Sequence, residues 1–224
     1  MTMILYLVRH AQSQANVGQS RDLDCLLTDL GWRQAHAAAK ELQRLGVTRV
    51  CASPYRRTLA TANVIAKAAG APLEVVPTLH EHQTLALPSQ WPLLTVDQLR
   101  AEFPDVHVPD ALVEPSWHRA PERHDDVLER MRLVLHDFER RFAPSDKVAV
   151  VSHGSPLGKL VLAFVGVPAF DNSEVEIDNC SLTTLELSGG RRRLLGVNRT
   201  DFLTAVTRPE PLEALGPVAP PHSN

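Results

Sequence analysis

Two histidines stand where two apolar runs break off. Residues Leu5 to Asn16 read Leu-Tyr-Leu-Val-Arg-His-Ala-Gln-Ser-Gln-Ala-Asn, so the first run ends in Arg9-His10 and Asn16 follows six residues later. The second run, Val148-Ala149-Val150-Val151, ends in Ser152-His153-Gly154. In a sheet of parallel strands, ligands bind outside the carboxyl ends. Two such strands would bring two imidazoles into one pocket, and Arg9 would make that pocket basic and phosphate-sized. An imidazole can attack phosphorus and form a covalent intermediate, which splits one hard step into two. A planar guanidinium suits the oxygens of the transferring group.

A metal centre is the competing chemistry. His80-Glu81-His82 and ten histidines in all invite it. Adjacent strand residues point to opposite faces, however. The chain also lacks His-Glu-x-x-His and a carboxylate-rich cluster of the two-metal kind. A P-loop and a dinucleotide-binding glycine pattern are missing as well. The expectation is no metal and no cofactor.

Elements able to position these residues are legible. Ile4–Val8 reads as a buried strand. Thr28 is an N-cap for a helix running to about Leu45, with Gly46 as its stop. Strand Arg49–Ala52, helix Tyr55–Ala69 closed by Gly70, and strand Leu73–Val76 follow. Glu122–Phe142 is a long amphipathic helix, with Val127, Met131, Val134, Leu135 and Phe138 at helical spacing. Strand Lys147–Val151, a buried helix Leu157–Val165, and a hairpin of Leu182–Leu187 with Leu194–Val197 complete the series. Alternating strands and helices predict an α/β fold, a three-layer α/β/α sandwich with a mostly parallel sheet. Residues 82–121 break the rhythm with six prolines and read as a lid-like insertion. The Pro-rich tail, about 208–224, reads as irregular. Residues 1–224 make one domain.

Composition narrows the function classes. The chain has 224 residues, 44% hydrophobic and 22% charged, enough to bury a full core. A net charge of -3 gives no global attraction to nucleic acid or anionic membrane. No run approaches the roughly 18 apolar residues of a membrane span. The N-terminus carries no visible secretory leader, and Cys25, Cys51 and Cys180 lack paired spacing. Reduced thiols in a cytoplasmic protein are expected.

Six blocks in order resemble the histidine phosphatase superfamily, the phosphoglycerate mutase-like family. They are Arg9-His10-Ala11 leading to Asn16, Leu27-Thr28-Asp29-Leu30-Gly31-Trp32-Arg33-Gln34-Ala35, Ser53-Pro54-Tyr55-Arg56-Arg57-Thr58-Leu59-Ala60-Thr61-Ala62, Leu79-His80-Glu81, Val151-Ser152-His153-Gly154, and Asn179-Cys180-Ser181 with the strand after it. The resemblance implies that His10 is the nucleophile, forming a phosphohistidine. It implies that Arg9 and Arg57 bind the phosphoryl oxygens, with neighbouring Arg56 a solvated surface charge. His153 would donate to the phosphoryl group, beside the first N–H groups of the helix from Gly154. Asn16 would contact phosphate or orient His10. Ser13 would add a hydroxyl or cap its loop. Glu81 matches the family's proton donor; burial raises and Arg9 and Arg57 lower its pKa.

Departures from the family fall on the loops. Ala11 stands where glycine is common, which requires a negative φ. Asp22-Leu23 replaces the dipeptides seen in phosphatases and mutases. The favoured function is a metal-independent phosphomonoester hydrolase acting on a small phosphorylated metabolite. A phosphoglycerate mutase is the nearest rival, and a non-catalytic phosphate-binding module is a third. Residues 82–121 carry Arg100 and Arg119 against Asp97, Glu102, Asp105, Asp110 and Glu114, an acidic balance that disfavours polyanions. Trp91, Trp117 and Phe103 offer apolar area for a leaving group or pack the insertion.

Overall fold

The computed structural model describes residues 2–84, 93–109, 120–170 and 174–207. A seven-stranded sheet runs in the order β4-β3-β2-β5-β1-β6-β7. Its strands are β1 Met3–Arg9, β2 Arg49–Ala52, β3 Leu73–Val75, β4 Val106–His107, β5 Lys147–Ser152, β6 Leu182–Ser188 and β7 Arg191–Arg199. The first five are mutually parallel, and the β6–β7 hairpin adds antiparallel to β1. The helices are α1 Asp29–Leu45, α2 Arg56–Ala69, α3 Val96–Glu102, α4 His124–Arg141, α5 Gly154–Val165 and α6 Thr204–Thr207.

Both faces of the sheet are covered, which is why its strands read as continuous apolar runs. Tyr6, Val8, Val50, Ala149 and Val151 pack beneath α1 and α2. Leu5, Leu7, Cys51, Val148 and Val150 pack beneath α4 and α5. The alternation continues past the strand ends. It sends His10 and His153 toward the α2 side and Arg9 toward α5.

Boundaries follow local chemistry. The Thr28 side chain accepts from the Gly31 N–H at the start of α1, and Gly46 ends it in the left-handed conformation at φ 75°. Helix α5 begins at Gly154, earlier than the expected Leu157. A proline in the first turn forfeits no hydrogen bond, so Pro156 does not delay the start. Strand β7 includes the basic residues expected in its turn, because Arg193 pairs with Glu186 and Arg192 with Glu139.

The sequence leaves residues 82–121 outside the strand–helix rhythm, yet part of that segment extends the fold. Leu93, Leu94, Leu99, Phe103, Val106 and Val108 are buried on the α1–α2 side, and β4 pairs with β3 as an edge strand. Helix α3 is too short to display a period. Phe103 is a packing residue here. The expectations for Trp91, Trp117 and the tail from residue 208 lie outside the described residues.

Gly31 shows how tightly α1 docks against the loop after β1. A Cβ built there would lie 2.0 Å from the Gln12 carbonyl oxygen. Gly31→Ala should therefore push the loop away and cost about 1–3 kcal/mol, read as a lowered urea midpoint at unchanged m-value.

Candidate active site

Three parallel strands end side by side, and each contributes a residue to one buried cluster. β1 delivers Arg9 and His10, neighbouring β5 delivers His153, and β2 leads through Ser53 to Arg57 at the start of α2. His10 and His153 are 2% and 0% exposed, with ring centroids 5.3 Å apart in an edge-to-face arrangement. Arg57, 8% exposed, joins them. Its Nε donates to His10 Nε2 at 3.3 Å and its Nη2 to His153 Nδ1 at 3.1 Å. Nη1 donates to the Leu23 carbonyl at 2.8 Å, and the guanidinium lies over the Tyr55 ring at 4.5 Å. Arg56 turns outward to Glu102 at 2.9 Å, as a surface charge should.

These bonds fix both tautomers. His10 Nδ1 lies 2.8 Å from the Ala11 carbonyl, which can only accept, so Nδ1 carries the proton and Nε2 the lone pair. His153 Nδ1 accepts from Arg57, so its Nε2–H donates to Ser53 Oγ at 2.8 Å. Burial, followed by the Arg57 charge, holds both imidazoles well below the ordinary histidine pKa. The cluster therefore holds two neutral imidazoles beside fixed cations. A neutral imidazole is the form able to attack phosphorus.

Glu81 reaches the cluster from the turn after β3. Its Oε1 accepts from the His82 N–H at 2.9 Å, and its Oε2 lies 3.5 Å from His153 Nδ1. Its pKa is raised: burial outweighs the pull of Arg57, of the His82 N–H and of Arg9. The turn itself is strapped down. Arg130 on α4 donates to both Glu122 carboxylate oxygens and to the carbonyls of Thr78 and His80. Ser152 Oγ donates to the Leu79 carbonyl at 2.7 Å.

Arg9 lies on the α5 side. Its Nη1 donates to the Ile177 carbonyl at 2.8 Å, while Nε is buried with no partner among the described residues. Gly154 opens α5 beside it, with a virtual Cβ 3.6 Å from the Arg9 guanidinium carbon. The first N–H groups of α5, at Gly154 and Ser155, have no acceptor within the helix and face this edge.

Asn16 and Ser13 sit one step back. Asn16 Oδ1 accepts from the Ser13 N–H at 2.9 Å, from Ser13 Oγ at 3.0 Å and from Asn179 Nδ2 at 3.3 Å. Ser13 is thereby engaged in loop capping. Asn16 reaches His10 only through Asn179, whose Nδ2 also donates to the His10 carbonyl at 2.8 Å. Ala11 is absent from the positive-φ residues, as its side chain requires.

Several neighbours carry no role in the sequence reading. Ser53, Tyr55 and Asn179 fall inside the quoted blocks, so position in a block was the available signal. Glu122, just before α4, and Arg130, within it, offered none. Among the described residues, no group of three or more His, Cys, Asp or Glu is arranged to hold a metal ion. No described helix is long and apolar enough to cross a membrane.

The family model described as histidine phosphatase superfamily (branch 1) matches residues 5–200. A probable phosphoglycerate mutase GpmB from Erwinia tasmaniensis is 31% identical over 199 residues, covering 81% of this chain and 84% of the relative. The solved mycobacterial glucosyl-3-phosphoglycerate phosphatase superposes with a TM-score of 0.62 at 27% identity, covering 89% of this chain and 100% of its own. Bacillus stearothermophilus YhfR superposes with a TM-score of 0.65 at 25% identity, covering 90% and 99%.

Asp24 beneath Arg57 provides a test of the site's electrostatics. It is buried, its Oδ1 accepts from the Arg56 N–H at 2.7 Å, and burial pushes its pKa from 3.8 up to about 6. A raised carboxyl pKa means stability that is full below pH 3.8 and lost as pH rises through about 6. Asp24→Asn keeps the acceptor without the charge. It should raise stability at pH 8 by on the order of 2 kcal/mol and leave it nearly unchanged at pH 3.5, read from paired denaturation curves.

Proposed function

This chain belongs to the histidine phosphatase superfamily, whose members are phosphatases or mutases; on that premise we propose that it is a metal-independent phosphomonoester hydrolase acting through a phosphohistidine on small phosphorylated metabolites. The observation that carries this reading is the His10 Nε2 lone pair. It is held neutral, aimed at Arg57, and flanked by His153 with the Glu81 carboxyl beyond.

In the first half-reaction, Nε2 attacks phosphorus and the ester P–O bond breaks. The leaving alkoxide takes the Glu81 proton, which the raised pKa keeps available. Nδ1–H remains bonded to the Ala11 carbonyl and stabilises the positive phosphoimidazole. Arg57, Arg9 and the first N–H groups of α5 face the spread phosphoryl charge. His153 joins them once its proton sits on Nδ1, an arrangement open to it because the Ser53 hydroxyl can donate to Nε2 as readily as accept. In the second half-reaction, the Glu81 carboxylate takes a proton from water, the water oxygen attacks phosphorus, and the P–N bond breaks. Phosphate leaves, and His10 and Glu81 return to their starting protonation states.

Relatives named as mutases make phosphoryl transfer between hydroxyls the second reading. The described part of the insertion supports hydrolysis by what it lacks: α3 and the turn after it carry Arg100 as their one cation, while Glu102 pairs with Arg56 and Asp105 with Lys67. A mutase needs cations for a second anionic group. Release of inorganic phosphate against isomerisation of a phosphorylated sugar acid decides between them. Neither activity would leave the phosphate-binding module.

His10→Ala should fold yet lose at least about a thousandfold in turnover of an aryl phosphate, and should form no acid-labile phosphoenzyme. A phosphoenzyme of undiminished yield in that variant would reassign the nucleophile. Glu81→Gln should cost an alkyl phosphate about 10²–10⁴-fold and an aryl phosphate much less, since a phenoxide leaves without a proton. For the wild type, alkyl turnover should fall as pH rises and Glu81 deprotonates, whereas His10 stays neutral well below pH 6.5. Glu81→Gln should abolish this alkaline fall.

A further inference from the structure

A cavity of about 410 Å³ lies against the cluster on the α5 side, with Arg9 and Gly154 as the shared wall. Its floor is one face of α5, where Ser155 and Lys159 stand a turn apart. Its far wall is the segment from Glu174 to Asp178. That segment can approach because Gly158 has no side chain: a Cβ there would meet the Val175 carbonyl oxygen at 2.8 Å.

Lys159 is the unusual member of this wall. It is 4% exposed, yet its ammonium makes no hydrogen bond among the described residues. Its partners are the Phe170 ring at 4.4 Å and the exposed Glu174 carboxylate at 4.0 Å, a long ion pair. Nζ keeps some solvent contact, so its three donors are open to water or to a ligand in the cavity. The opposite wall holds three carboxylates, of which Asp178 is bonded to Asn198 and Glu176 has no ion pair among the described residues. Arg9 and Gly154 join this cavity to the cluster, so a substrate whose phosphoryl group is held by Arg9 has room for its organic part along this wall.

We propose that this cavity is the leaving-group subsite, in which Lys159 binds a single carboxylate on the leaving alcohol and Glu174 and Glu176 favour a neighbouring ammonium. The preferred substrates are then phosphate esters of compact zwitterionic alcohols. A second phosphate is disfavoured, because one ammonium faces three carboxylates. The inference rests on the phosphomonoesterase reading for its orientation, with the phosphoryl group at Arg9.

Four esters separate the contributions: O-phosphoserine, phosphoethanolamine without the carboxylate, 3-phosphonooxypropanoate without the ammonium, and ethyl phosphate without either. In the wild type, kcat/KM should rise at least about tenfold for adding the carboxylate, the scale of a charge-assisted hydrogen bond. Lys159→Met keeps the aliphatic stem. It should reduce that ratio to within about twofold of unity and leave ethyl phosphate unchanged. Lys159→Arg should retain most of the ratio, and Glu176→Gln should lower only the gain from the ammonium. A wild-type enzyme indifferent to the carboxylate overturns the proposal. So does a Lys159→Met variant that slows all four esters equally, which would make Lys159 a strut between α5 and Phe170. Titrating the same esters calorimetrically into His10→Ala protein, with and without Lys159→Met, reads the subsite without turnover. If the wild type hydrolyses neither these esters nor an aryl phosphate, the phosphatase reading falls. A Lys159-dependent carboxylate preference in the titration would still uphold the subsite, and equal binding would overturn it.

Discussion

Arg57 occupies the lone pairs of two buried imidazoles at once, through Nε to His10 and Nη2 to His153. Two buried neutral histidines have two tautomers each. A permanent cation between them selects one tautomer of each in the resting site. Both rings must present lone pairs to it, so both must send their N–H the other way, to the Ala11 carbonyl and to Ser53 Oγ. The same cation, aided by burial, keeps either ring from protonating. The orientation and protonation state of both rings thus depend on one side chain. Its own position is set by the Leu23 carbonyl and the Tyr55 ring.

The sequence blocks around the site make sense as clamps on the loop that follows β1. Ala11 N–H donates to Thr61 Oγ1, and Gln12 N–H to Gln34 Oε1. The Gln12 carbonyl accepts from the Thr28 N–H, directly over the missing side chain of Gly31. Helix α2 and helix α1 with its cap thereby grip Ala11 and Gln12, the two residues after His10. Such a grip would keep His10 aligned in the proposed reaction. Asn179 and Cys180 close a further side, with the Cys180 N–H donating to the Arg9 carbonyl and Cys180 itself at φ 56°. A left-handed cysteine is an uncommon conformation, held here by that bond and full burial.

The strand alternation divides the pocket between two faces of the sheet. His10, His153 and Arg57 lie toward α2, while Arg9 lies toward α5 and carries the site over the sheet edge. This split leaves the cluster of His10, His153 and Arg57 enclosed while the α5 side keeps a cavity with mixed charge. Conserving the first and varying the second is a route by which one fold can serve different leaving groups.

Much of this was legible in the residues alone, and the reason is locality. An apolar run that stops at Arg9-His10, another that stops at His153, the Thr28 cap and the Gly46 stop are short-range signals, decided within a few residues by side-chain burial, capping and backbone sterics. They determined the layered α/β class and which histidines meet at the sheet edge. The tertiary structure decided what spans the chain. Which of Arg56 and Arg57 turns inward depended on Glu102 at the surface and Leu23 in the loop. The tautomer of His153 depended on Arg57, 96 residues away. The middle of the 82–121 segment joined the sheet because Leu99, Phe103 and Val106 found an uncovered edge beside β3. The surroundings of Lys159 depended on Gly158 admitting the Val175 backbone. Each of these outcomes is a hydrogen bond, ion pair or close approach between distant segments, and such pairings exist only once the sheet has brought its strand ends together.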